Sequence, residues 1–474
     1  LSQTSDTAAH SQGLGLKEHP RGLYYLVFTE AWERFSYYGM TSLLGLYMVD
    51  QLLRPASAAH IAGLGALRNL LETVSGPLST QALASQIFGL YTGFVYFTPL
   101  AGGWIADRWS GQRNAVAAGA LFMSAGHAAM TFDASFLIAL VLLVVGSGLL
   151  KGNIAAQVGV LYPEWDEERR TRGFVIFSTA INVGAVLGPL VCGLLAQIYG
   201  WHYGFGIAAV LMLLALAVYL HGYRHLPARV ERRGLGPQIR MSGAEWRVSA
   251  ALVALMLISV PQSIAYLQMY DVGPVWTEQH VARSVAGLVV PVPWYQSVTA
   301  LASIAAVAPL LWLWRRQAAR AREPDEIAKM GLGAWLAAAC NLLLAAASYA
   351  AADARMSPLW PLLYVSGLGV AFLYYWPTML ALVSRCAPQR VNSTLIGLVY
   401  VSLFISNTMI GWIGGFYERI SPVSFWALHG AIAAAGGIAV ALFGARLRRI
   451  LGLTGQAGSV ILVPRIESDV HRAG

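Results

Sequence analysis

The sequence predicts an all-α membrane protein with twelve transmembrane helices in two six-helix bundles, and three observations carry that prediction. The first is composition. Hydrophobic residues make up 57% of the 474-residue chain and charged residues only 12%, against roughly 25% charged in a soluble domain. The second is length: a helix needs about 20 apolar residues to cross hydrocarbon. Twelve such stretches run over about 23–50, 83–106, 113–132, 135–161, 173–197, 201–221, 248–270, 294–314, 330–351, 358–384, 394–416 and 424–445. The third is charge placement. With both termini cytoplasmic, every Lys and Arg between the spans and in the tails falls on the cytoplasmic side except Arg54, Arg68, Arg283, Arg355 and Arg419. That asymmetry is the mark of cytoplasmic loops.

Taken in order, the chain divides into an N-terminal tail (1–22), a first six-span bundle (23–221), a basic linker (222–247), a second six-span bundle (248–447) and a C-terminal tail (448–474). The linker is too short to hold two more spans. The long outer segment 53–82 is rich in Gly and Leu and has no evident role. The net charge of +9 is accounted for by the arginine-rich segments 224–247 and 315–322 lying on anionic lipid, so nucleic acid is not an expected partner. Cys192, Cys340 and Cys386 have the spacing of neither a metal site nor a disulfide framework, and no phosphate loop or catalytic Ser/His pair is present, so no cofactor is expected. Gly89 with Gly93 and Gly184 with Gly188 read as close helix-packing positions. Pro99, Pro189, Pro261, Pro309 and Pro377 read as bends, and His127 and His202 as satisfied polar residues without ligand-spaced companions.

Two cations stand apart from this pattern: Arg34 and Lys151 sit well inside apolar stretches. A cation in hydrocarbon costs at least ~2.5–3.5 kcal/mol, so such residues face a wet cavity and a partner. In the first span, Glu30, Glu33, Arg34, Tyr37 and Thr41 fall on one helical stripe. Two acids beside one arginine titrate as a coupled unit that takes and releases a proton; the plainer reading is a structural ion pair. Lys151 either reaches the same cavity from the fourth span or snorkels toward a helix end.

The stripe Glu30-x-x-Glu33-Arg34-Phe35-x-Tyr37-Tyr38-Gly39 resembles the first-helix signature of the proton-dependent oligopeptide transporter family within the major facilitator superfamily. Gly102-Gly103-Trp104-Ile105-Ala106-Asp107-Arg108 with Gly111 resembles the loop motif of major facilitators. The segments 148–154, 177–185 and 294–297 with Pro309 are similar to the family's fourth-, fifth- and eighth-helix segments. The resemblance covers residues 20 to about 445. It implies the major facilitator fold and a proton-coupled symporter that imports di- or tripeptides, or peptide-like solutes, through the cell membrane by alternating access, driven by the proton gradient. It also implies roles: Glu30, Glu33 and Arg34 handle the proton; Lys151 holds the peptide carboxylate; Tyr37, Tyr38, Tyr96 and Asn182 line the pocket, with Gln296 from the eighth span. Small peptides, protons and membrane lipids are the implied partners.

The second half departs from the family pattern. The alignment places Phe372 where the family carries a tenth-helix glutamate, and Thr299 where it carries an asparagine. Lys151 is then expected to pair with Glu30 or Glu33 when the site is empty. Asp271, in a segment similar to the family's acidic seventh helix, reads either as a member of an outer gate tied to proton coupling or as a solvated helix end. A carrier of another solute (nitrate, an organic anion, or a drug exchanged for protons) and, more remotely, a membrane-embedded enzyme are the competing functions.

Overall fold

The computed structural model describes residues 19–453 apart from 164, 228–240, 286 and 353. Most of both tails and of the basic linker, together with Glu164 and Asp353, therefore lie outside the described residues. Each of the twelve apolar stretches forms one long helix: α1 (Arg21–Tyr47), α2 (Thr80–Ile105), α3 (Gly111–Ala129), α4 (Phe136–Val160), α5 (Glu167–Tyr199), α6 (Trp201–Gly222), α7 (Gly243–Leu267), α8 (Trp294–Ala318), α9 (Glu326–Ala351), α10 (Leu359–Cys386), α11 (Asn392–Gly414) and α12 (Pro422–Ile450). Among the described residues, nine stretches are long and apolar enough to cross a membrane on length and composition. The other three long helices are α1, which carries the Glu30/Glu33/Arg34 stripe, α2 and α3.

Several helices start ahead of their apolar run because a polar cap precedes it. Asp166 accepts the Arg169 N–H ahead of α5, and Asp325 accepts the Ala328 N–H ahead of α9. Ser242 and Glu245 form a reciprocal capping box at α7. Such caps satisfy backbone donors that the first helical turn leaves free. Single π-helical turns, Met48–Leu52 and Ala106–Ser110, prolong α1 and α2. A short helix (Val272–His280) and a two-stranded hairpin (Ser284–Val285 with Leu288–Val289) join α7 to α8.

The segment 53–82 holds another short helix, Leu64–Ser75. Arg68 Nε donates to Glu72 Oε1 at 2.8 Å, and the same carboxylate accepts the Leu78 N–H at 3.1 Å. Arg419 Nη2 reaches the Pro77 carbonyl at 3.3 Å, fastening this segment to the second half.

Helices α1 to α6 pack into one bundle and α7 to α12 into the other: α1 lies on α5 and α6, and α3 on α4 and α6, while α9 lies on α10 and α12, and α7 on α11 and α12. The bundles meet chiefly through α2 against α11 and α5 against α8. The small-residue positions serve close approach, as expected. A Cβ at Gly89 would lie 2.5 Å from the Asn407 carbonyl and 2.8 Å from Gly411 Cα, and one at Gly188 would lie 2.5 Å from the Phe35 carbonyl.

The histidines differ from expectation. His202 lies 3.4 Å from Asp133, but neither ring nitrogen of the fully buried His127 has a hydrogen-bond partner. Its full burial without a partner was not revealed by the lone residue in the sequence. Cys192 and Cys340 are buried free thiols, while Cys386, the last residue of α10, is partly exposed.

Candidate functional site

Between the bundles lies a cavity of about 760 Å³, within the range of small-molecule sites. Its lining reaches Pro99 and Leu100 on the last turns of α2 and Ser393 and Gly397 on the first turns of α11, so it extends toward the end that carries the basic loops. At the opposite end the bundles are joined. Trp294 Nε1 donates to the Leu190 carbonyl at 3.0 Å and Ser297 Oγ to the Val186 carbonyl at 2.7 Å, tying α8 to α5. The Gly89–Gly411 crossing ties α2 to α11 at that same end.

The structure brings most of the expected residues onto this cavity. Glu30, Arg34, Tyr37 and Tyr38 reach it from α1, Tyr96 from α2, Lys151 from α4, Asn182 from α5 and Gln296 from α8. Arg34 Nε lies 2.8 Å from Glu30 Oε1 and 2.7 Å from Glu33 Oε2. That nitrogen carries one hydrogen, and the geometry assigns it to Glu30. Glu33 is therefore held by charge alone: it is fully buried, and neither of its oxygens accepts a hydrogen bond. It stands behind the cavity wall, whereas the helical stripe had placed it beside Tyr37.

Lys151 does not snorkel, and it does not pair with an acid. Its Nζ sits 3.9 Å from the centroid of the Tyr37 ring and 5.6 Å from that of Tyr96, a cation–π arrangement. Both carboxylates are engaged by Arg34, which leaves the tyrosine faces as the ammonium's nearest support. Gln296 is 6% exposed, and neither end of its amide has a hydrogen-bond partner in the protein, so both donor and acceptor remain for a solute.

Asp271 stands elsewhere. It follows α7 at the joined end and is 2% exposed, which excludes the solvated helix end. Gln268 Nε2 donates to its Oδ2 at 3.3 Å, and the Ser85 hydroxyl of α2 bonds it as well. A Cβ at Gly414 of α11 would lie 2.5 Å from that same oxygen. Among the described residues, no Lys, Arg or His is ion-paired with it.

The wall facing Lys151 is aromatic. Phe372 stacks on Tyr266 with centroids 5.5 Å apart and 27° between planes, and Trp376 meets Tyr400 edge-on at 5.8 Å. The hydroxyls of Tyr266 and Tyr270 are 3.4 Å apart. Sequence reasoning singled out Phe372 only as a departure and missed the others. The one available signal was the i, i+4 pair Tyr266 and Tyr270 inside an apolar stretch.

Two helical bundles closing over a cavity that holds partly buried cations beside buried acids define a secondary transporter of the major facilitator type, not an enzyme. The comparisons with known proteins agree. The model of the POT family matches residues 113–234 and 237–427. The chain is 29% identical to the peptide transporter YePEPT of Yersinia enterocolitica subsp. palearctica, over 84% of this chain and 88% of that one. It is 26% identical to a di-/tripeptide transporter of Lactococcus lactis subsp. cremoris, over 91% and 97%. Among solved structures, a peptide transporter POT in complex with sulfate superimposes with a TM-score of 0.79 at 25% identity, covering 92% of this chain and 96% of the other. The POT family transporter PepTSo shares the fold at 18% identity with a TM-score of 0.76. The chain belongs to the POT family.

Proposed function

We propose that the protein is a proton-coupled symporter that imports di- and tripeptides or peptide-like solutes across the cell membrane, with both termini on the cytoplasmic side. The observation that carries this reading is the single cavity wall on which Glu30, Arg34 and Lys151 stand among tyrosines, in a chain whose relatives include peptide transporters. The bundles 23–221 and 248–447 rock against each other around the cavity between them, and the conformation described faces the cytoplasm. In the opposite conformation a proton enters the Glu30/Glu33/Arg34 cluster while the solute carboxylate engages Lys151. Neutralising one acid lowers the cost of closing the cavity away from water. Tyrosine faces accept varied side chains, and their hydroxyls with Asn182 and Gln296 serve the peptide backbone. A pH difference of about one unit then supports about tenfold accumulation per coupled proton.

Asp271 belongs to the joined end: its protonation weakens the contact with Ser85 and Gly414 and releases the bundles. The test of the whole scheme is uptake of labelled di- and tripeptides into liposomes carrying the full chain, with an inside-alkaline gradient. Accumulation that a protonophore collapses and that Lys151→Ala abolishes is expected; accumulation by the Lys151→Ala protein would remove the role given to that lysine.

A further inference from the structure

The placement of charge around the cavity names a narrower solute class, an inference that rests on the symport reading above. The ionisable set at the cavity is Glu30 and Arg34 with Glu33 behind them on α1, and Lys151 on α4. With all four charged, two acids balance two bases. The groups that α2, α5, α7, α8, α10 and α11 turn to the cavity are neutral, and the face opposite Lys151 is the Phe372–Tyr266 stack with Trp376 and Tyr400.

A zwitterionic peptide meets two obstacles in this arrangement. Its carboxylate finds Lys151, but its ammonium at the far end finds aromatic faces, whose cation–π attraction is worth about 0.5–2 kcal/mol, and no carboxylate to cancel its charge. Glu30 does not serve that end: it lies on the lysine's own wall, Arg34 holds its Oε1 at 2.8 Å, and its unpartnered Oε2 is buried there. The second obstacle is the charge of the closed state. A zwitterion adds nothing to the balanced set, so the coupled proton leaves the sealed cavity with one uncompensated positive charge, a state that burial penalises heavily. A monoanion adds one negative charge, the proton cancels it, and the closed cavity is neutral.

We infer that the favoured solutes are small monoanions with one carboxylate and no free amine, such as N-acylated dipeptides or N-acylated amino acids, carried one for one with a proton in an electroneutral cycle. The carboxylate rests at Lys151, the amides at Asn182 and Gln296, and the apolar blocked end on the Phe372–Tyr266 face.

The test uses the full chain in liposomes with an inside-alkaline gradient, the potential being set independently by potassium and valinomycin. Labelled N-acetyl-alanyl-alanine and alanyl-alanine are compared for uptake and for mutual competition. The acetylated compound is expected to compete at about tenfold lower concentration, and its initial rate is expected to stay the same when an inside-negative potential is added. Phe372→Glu, which places a carboxylate on the aromatic wall, is expected to reverse the preference and make uptake of the free dipeptide electrogenic. Free alanyl-alanine competing as well as or better than its acetylated form in the wild-type protein overturns the inference while leaving peptide symport standing, as does acceleration of acetylated-dipeptide uptake by the potential. Gradient-driven accumulation of neither compound removes both. The wild-type comparison decides the matter even where the Phe372→Glu protein fails to fold.

Discussion

Arg34 Nε has one hydrogen and two carboxylates within 2.8 Å, and that mismatch separates two roles that share one ion-pair cluster. Glu30 receives the hydrogen bond; Glu33 is fully buried and neither of its oxygens meets a hydrogen-bond donor. Glu33→Gln is therefore expected to lower gradient-driven accumulation more than about tenfold while counterflow exchange of solute continues. Equal loss of both activities would instead mark a structural ion pair. At this scale the sequence was informative wherever a residue is costly in its surroundings. Arg34, Lys151 and the two glutamates announce themselves because charge in an apolar stretch demands a reason. The aromatic wall does not, since Phe, Tyr and Trp fill membrane helices for many reasons, and only the fold shows which of them face the solute.

Helix crossings decide what the next scale permits. At Gly89 and Gly411 backbone rests on backbone, with the nearest atoms belonging to main chain that cannot turn aside. Gly89→Leu should cost about 1–3 kcal/mol by overpacking, read as a lower thermal unfolding midpoint in detergent, with the joined end loosened more than the rest in hydrogen exchange. The tie between the short helix Leu64–Ser75 and the turn after it has its own pH signature. The Arg68 side chain and the Leu78 N–H hold the Glu72 carboxyl below the usual carboxylate range. Its contribution is thus full above the ordinary carboxylate value and is lost as pH falls through the lowered one. Faster amide exchange at Leu78 on acidification would register that loss. All twelve long helices were legible from apolar length. The π-helical ends of α1 and α2 and the short helix Val272–His280 were not, because they arise from tertiary fit at element ends and not from any local periodicity.

For the molecule as a whole, the two-bundle architecture was readable from loop charge and from one basic linker. The conformation was not: both end states of such a carrier bury the same apolar faces, so hydrophobic pattern cannot distinguish them. In the proposed cycle the state is set by a handful of contacts at the joined end, Asp271 among them. Asp271→Asn removes the titrating group but keeps a hydrogen-bonding side chain of the same size. It should flatten the pH profile of gradient-driven uptake and slow it by about tenfold or more. An unchanged rate and profile would take Asp271 out of the coupling scheme.

The three thiols are unequal in a way that makes the carrier its own instrument. Cys192 and Cys340 are enclosed, whereas Cys386 ends α10 beside the Arg385–Glu326 ion pair, partly exposed at the edge of the second bundle's apolar core. A water-soluble maleimide dye would therefore label the unaltered protein at one place, on the bundle that swings. Its fluorescence would follow movement of the α10 end in real time, without a single engineered residue.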